Sequence, residues 1–164
     1  MNDIEFVESE SLELAKLSDL ELLVQWQRNF IIDVGLADEM PPDDELKKRV
    51  EFAIGNGSSL LWKDESKSVS AIGFIKMGEE GARINRVYTP LEFRKRYENQ
   101  KIILIHRSYA TKMVYTLAKK LLKEYGMKYL VLFTDAKNPT TNHIYPLSGF
   151  KFVKDNVELA IKEK

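Results

Sequence analysis

A mixed α/β fold, a central sheet flanked by helices, is what this sequence predicts, and three features carry the prediction. Ser59 to Trp62, Val69 to Met77 and Ala82 to Thr89 are strand-like runs parted only by the turn-forming clusters Asp64-Glu65-Ser66-Lys67 and Gly78-Glu79-Glu80-Gly81. Such spacing makes an antiparallel meander. A fourth run, Tyr129 to Phe133, is apolar without polar alternation and follows a long helical stretch. That combination predicts a strand parallel to its neighbour, covered on both faces and lying in the middle of the sheet. Finally, two helical stretches precede the meander, which supplies helices to pack on the sheet.

In chain order, Asp3 to Val7 is expected as a first strand. Leu17 to Leu22 reads as a helix start, with a capping box from Ser18 to Glu21 and a hydrophobic staple from Leu17 to Leu22. Leu22, Leu23, Trp26, Phe30 and Ile31 follow at helical spacing as the face that packs on the sheet. Pro41-Pro42-Asp43-Asp44 opens a second helix with acids in its first turn, apolar Leu46, Val50, Ala53 and Ile54, and Gly55 and Gly57 as its stop. After the meander, Tyr109 to Tyr125 is a helix with Val114, Leu117, Ala118, Leu121 and Leu122 buried, Lys119, Lys120 and Lys123 solvated, and Gly126 as terminator. Asn138-Pro139 starts a short helix after the fourth strand, because Asn can cap a free amide and Pro occupies a position needing no donor. Phe150 to Val153 and Val157 to Ile161 close the chain as two strands.

Composition excludes several function classes. A chain of 164 residues is expected to form one domain, residues 1–164. Its 25 basic and 25 acidic residues cancel, so no global field steers it to nucleic acid or to an anionic membrane. There is no Cys, which removes disulfides, thiolate nucleophiles and cysteine zinc sites, and two His are too few for a His-based metal site without help from carboxylates. No metal is implied. Asn2 to Glu10 is acidic rather than signal-like, so a soluble, cytoplasmic protein of bacterial type is expected.

Chemistry concentrates near the fourth strand. Asn138, Asn142 and Tyr145 are four and three residues apart, which on a helix brings three polar groups to one side, near the carboxyl end of that strand. The residues Thr134-Asp135, Asn138-Pro139-Thr140, Asn142, Ile144-Tyr145 and Gly149-Phe150 resemble a sequence block of the GNAT superfamily of acyl-CoA-dependent N-acetyltransferases. Upstream, Arg83-Ile84, Val87-Tyr88-Thr89-Pro90, Phe93-Arg94 and Tyr109-Ala110-Thr111 resemble the superfamily's acetyl-CoA-binding segment, in a bacterial subgroup with a V-Y-T-P strand end. The two blocks occur in the right order and at the right distance, and the resemblance covers roughly Leu60 to Val153.

The resemblance implies a GNAT-type mixed sheet, an antiparallel meander followed by a parallel strand pair. It also implies direct acetyl transfer from acetyl-CoA to a primary amine, carried by a small molecule or a peptide, and leaves a homodimer open. The backbone of Val87, Tyr88 and Thr89 would hold the pantetheine arm where two strands diverge. Arg94, Arg107, Ser108, Tyr109, Ala110 and Thr111 would lie around the pyrophosphate at the next helix start, with Asn138 and Asn142 as further cofactor contacts. Tyr145 aligns with the tyrosine that protonates the CoA thiolate. The chain departs from the family segment R-G-x-G-Y-A: Arg94 and Tyr109 are fifteen apart, so about eleven residues are additional, and Ser108 stands where the second glycine belongs. The apolar run Lys101 to His106 within that insertion is expected to be covered by other parts of the protein. Pro146 is expected to bias Tyr145 away from helical backbone angles. These departures keep a second reading alive, a non-catalytic GNAT-like module with weak or no CoA binding and an interaction role. No general base is assigned from Glu79, Glu80, Asp135 or His143.

Overall fold

The computed structural model describes residues 11–94, 109–136 and 138–155. A short strand β1, Leu12–Leu14, is followed by a 3-10 turn and α1, Leu20–Asp33, then by α2, Asp43–Gly55. The meander β2 (Ser59–Asp64), β3 (Lys67–Met77) and β4 (Gly81–Tyr88) comes next, then α3 (Tyr109–Lys123), β5 (Tyr129–Val131) and α4 (Pro139–Leu147). The five strands lie in chain order; neighbours are antiparallel except β4 and β5, which are parallel. A parallel pair needs a long crossover, and α3 supplies it.

The apolar run at the start of β2 explains why the sheet needs helices on both faces. Leu60 and Trp62 point into a core shared with Met113, Val114, Leu117 and Leu121 of α3 and Tyr145 of α4. Leu61, between them, points the other way, into a core with Leu23, Val24 and Trp26 of α1 and Leu46 and Val50 of α2. Alternation of side chains along one strand thus feeds two cores.

Helix boundaries follow local chemistry with some corrections. Pro42 precedes α2, three acids fill its first turn, and Gly57 takes a left-handed φ of +70° just beyond its end. Gly126, at φ +67°, ends α3 in the same way, with the Met127 amide donating to the Leu121 carbonyl at 3.0 Å. The expected cap from Ser18 to Glu21 does not form. Instead the Lys16 amide donates to the Asp19 carboxylate at 2.8 Å, which winds a 3-10 turn at Leu17–Asp19 before α1 begins. Leu17 and Leu22, expected as a staple, are exposed, and Leu122 is exposed as well. Leu22 and Leu122 each sit one residue, about 100° of helix, away from a buried leucine. Thr111 and Met113 of α3 are buried instead.

The fourth predicted strand needs the largest correction. It is not central among the described residues: β5 is three residues long and is the last strand in the sheet order. Tyr129 and Phe133 are exposed, and Leu130 to Leu132 only half-buried. An unbroken apolar run of this length can equally line one core edge. Phe150 to Val153 forms no strand either; Phe150 packs against the α3-side core, while Phe152 and Val153 are exposed. The expected strands Asp3 to Val7 and Val157 to Ile161, and the segment Lys101 to His106, lie outside the described residues.

Candidate functional site

The parallel ladder between β4 and β5 is short. It pairs Gly81 with Tyr129, Ala82 with Leu130 and Arg83 with Val131, then stops. The rest of β4, from Ile84 to Tyr88, has no strand partner on that side among the described residues. On its other side β4 stays paired with β3, through Asn85 opposite Gly73 and Tyr88 opposite Ala71. Two residues, Arg86 and Val87, therefore oppose the single residue Ile72, and Arg86 has a left-handed φ of +51°. This is a β-bulge.

The bulge decides which way each side chain points. Ile84 and Val87 both contribute to the α3-side core, three positions apart, which strict alternation forbids. Arg86 and Tyr88 face the α1 side, where the Tyr88 ring lies 6.2 Å from Trp26 and 6.4 Å, edge-on, from Phe30. The Tyr88 ring therefore belongs to the α1-side core, and only its backbone is positioned for anything else. Gly73 opposite the bulge admits the Arg86 side chain: a Cβ built there would sit 2.5 Å from an Nη atom.

The end of β4 is fixed by Ser70, fully buried on β3, which sequence reasoning did not single out. Its hydroxyl donates to the Tyr88 carbonyl at 2.7 Å and accepts from the Thr89 hydroxyl at 2.7 Å. A serine between strand residues carries no sequence signal that separates such a brace from a turn former. Arg94 continues the brace: Nε donates to the Thr89 carbonyl at 2.6 Å, the guanidinium pairs with Asp33 at the end of α1, and it lies 5.5 Å from the Tyr88 ring centre. Its charge is thus neutralised within the protein rather than directed at the start of α3.

At that start, Ala110 is half-buried and Thr111 buried. Tyr109 is half-buried, and its hydroxyl donates to the Asp64 carboxylate, which, with desolvation, pushes its pKa up to about 12. Arg107 and Ser108 lie outside the described residues.

Across the site, the Asn138 carbonyl accepts the first helical bond of α4 from the Asn142 amide at 3.2 Å. The Asn142 side chain turns back to donate to the carbonyls of Asp135 at 3.2 Å and Ala136 at 2.9 Å, pinning the loop after β5. The expected convergence of Asn138, Asn142 and Tyr145 is therefore incomplete, because Asn142 is exposed and engaged locally while Tyr145 is buried. Pro146 does not unwind Tyr145. The helix runs through it, and Ser148 caps the last turn with its amide and hydroxyl both donating to the Ile144 carbonyl at 3.1 Å. Tyr145 is 9% exposed, and burial raises its phenol pKa. Its hydroxyl makes no hydrogen bond among the described residues, an arrangement that is costly for a buried polar group unless something else completes it. No group of acids and histidines suited to a metal ion occurs among the described residues, and no described helix is long and apolar enough to cross a membrane.

No sequence-family model matches the chain, and no curated protein matches it in sequence. Solved structures do match its shape. A predicted acetyltransferase from Clostridium acetobutylicum, solved with acetyl-CoA, has a TM-score of 0.62 at 19% identity, over 91% of this chain and 94% of that one. An acetyltransferase of the GNAT family from Bacillus anthracis has a TM-score of 0.64 at 16% identity, over 89% of this chain and 83% of that one. AAC(6')-Iy in complex with the bisubstrate analog CoA-S-monomethyl-acetylneamine has a TM-score of 0.68 at 10% identity, over 92% of this chain and 97% of that one. With the meander, the crossover helix and the parallel pair that ends early, this chain has the fold of the GNAT acetyltransferases.

Proposed function

We propose that the chain transfers an acetyl group from acetyl-CoA directly to a primary amine. The observation that carries this reading is the early end of the β4–β5 ladder, which leaves the backbone of Ile84 to Tyr88 without a strand partner on one side among the described residues. An extended amide-bearing chain such as pantetheine can pair with an edge of that kind. The Tyr145 hydroxyl, buried in the adjoining α3-side core without a hydrogen-bond partner among the described residues, is a second polar group that a ligand would complete. Both features fit the cofactor, and two neighbours of this fold were solved with CoA compounds.

In this reading acetyl-CoA supplies the acetyl group as a thioester. The backbone of Val87, Tyr88 and Thr89 holds the arm, and the start of α3, Tyr109 to Thr111, lies nearest its phosphates. Helix starts suit anions because their first amides lack internal partners. Arg107, Ser108, Asn138 and Asn142 complete the proposed contacts. Ser70 and Arg94 hold the end of β4 in place. Tyr145 holds a proton at Oη for the sulfur that leaves as the carbon–nitrogen bond forms, which its pKa permits at neutral pH.

The test is thermal melting with and without acetyl-CoA, followed by CoA release with a panel of primary amines. At a hundred times its dissociation constant the ligand adds about 2.7 kcal/mol of stability, a shift of several degrees. No shift at millimolar acetyl-CoA removes the enzyme reading; a shift without CoA release from any amine favours the binding-module alternative.

A further inference from the structure

Arg86 is a polar group of this site that the proposed transfer reaction does not use. The bulge turns it to the α1 side, one residue from Val87, and lays it against Gly73. It is half-buried, yet its only hydrogen bonds among the described residues go to neutral oxygens: Nε to Asn85 Oδ1 at 3.2 Å and one Nη to the Ser58 carbonyl at 3.4 Å. The other Nη donates to nothing among the described residues. Burial without an acid pushes its pKa down, although a guanidinium keeps its charge at neutral pH.

The acids Glu21, Asp43 and Asp33, on or at the ends of the helices over this face, are engaged elsewhere: Glu21 is paired with Lys47, Asp43 with Arg28, and Asp33 with Arg94. Removing a cation from water without a counter-charge is unfavourable, so an anion brought against Arg86 would be favoured. Beside the guanidinium is a small cavity of about 20 Å³, the room of one water-sized group, whose other walls include Trp26, Phe30 and Tyr88. A carboxylate matches the guanidinium fork and would place one oxygen in that space.

We propose that Arg86 receives a carboxylate of the acceptor, so that the amines acetylated by this chain are of the amino-acid class, bearing a carboxylate near the reacting amine. The proposal rests on the acetyl-transfer reading, because it needs an acceptor bound beside β4. Arg86 neighbours in the chain the backbone proposed to hold the cofactor arm, and its side chain faces the α1 side of the sheet, so the proposal places the acceptor's carboxylate on that face.

The experiment pairs free amino acids with the corresponding amino-acid amides, which keep the amine and side chain and lose only the negative charge. Binding is read from tryptophan fluorescence without acetyl-CoA, in a Trp62→Phe background that leaves Trp26 at the cavity as the reporter, and kcat/KM from CoA release with it. At least one acid should bind ten times more tightly than its amide, and Arg86→Gln should abolish that preference while leaving the acetyl-CoA melting shift intact. Arg86→Lys, which keeps the charge and loses the fork, should retain part of it. Equal binding of every acid and amide by the wild type overturns the proposal, whatever the variants do. So does an Arg86→Gln loss that falls equally on acids and amides. Failure of the transfer reading is separate: it shows as acid preference in the fluorescence titration with no CoA release.

Discussion

Tyr145 and Tyr109 are two tyrosines with raised pKa values for different reasons, and the difference is testable. Burial is the cause at Tyr145, so its phenol stays protonated to above the ordinary value of 10.0. Tyr145→Phe removes a hydroxyl with no partner among the described residues. We expect melting to stay within about 1 kcal/mol of wild type while the single-turnover rate at saturating acetyl-CoA falls about 10²- to 10⁴-fold. A mutant keeping a third of the rate would remove Tyr145 as proton donor, and a loss of kcat through this group below pH 10 would contradict its raised pKa. At Tyr109 the first cause is its hydrogen bond to Asp64, and the folded pKa is about 12 against 10.0 unfolded. The stabilisation is therefore complete below pH 10 and is lost as pH climbs through about 12. Melting temperature should fall more steeply across that interval in wild type than in Tyr109→Phe; parallel curves would show the contact to be too solvated to matter.

Among the elements, the parallel pair that opens the site hangs on close packing at its base. Gly81 faces the Tyr129 ring, and a Cβ built on the glycine would come within 2.3 Å of the ring's Cζ. Tyr129 is 47% exposed, so its ring can swing outward rather than force the strands apart. Gly81→Ala should consequently cost about 1 kcal/mol, the scale of a lost cross-strand contact, in denaturant unfolding. The cost should vanish in a Tyr129→Ala background, and its persistence there would locate the strain in the backbone instead. At the other end of β4, Ser70 and Arg94 hold Tyr88 and Thr89 by their carbonyls and hydroxyl. The opening between β4 and β5 is thus bounded by a glycine contact below and a hydrogen-bonded brace above.

For the whole molecule, the sheet separates two cores, and mutations on opposite faces should not feel each other. Leu61 and Leu117 are each 1% exposed, the former packed with α1 and α2, the latter with α3. Leu61→Ala and Leu117→Ala should each cost about 2–5 kcal/mol, as buried leucine truncations do. Their effects should add to within about 0.5 kcal/mol in the double variant. A large coupling energy would mean that the sheet transmits strain between its faces.

What the sequence determined by itself is what depends on neighbours within a few residues. The meander follows from two turn clusters, α2 from Pro42 and its acids, the end of α3 from Gly126, and the start of α4 from Asn138-Pro139, and all of these form as read. The mixed fold class, with a parallel pair after the meander, was legible through the resemblance to the GNAT superfamily, whereas the place of that pair in the sheet was not. Only the tertiary structure decided the rest. Whether Leu22 or Leu23 is buried depends on the angle at which α1 meets the sheet, and Tyr129 to Phe133 reads alike at a sheet's centre or its edge. The bulge at Arg86 has no local signature, because an arginine takes a left-handed φ only where the surrounding strands impose it. That single inserted residue turns Arg86 and Tyr88 toward α1 and Val87 toward α3, so the chemistry of the site is set by register between strands, a quantity that no single strand's sequence contains.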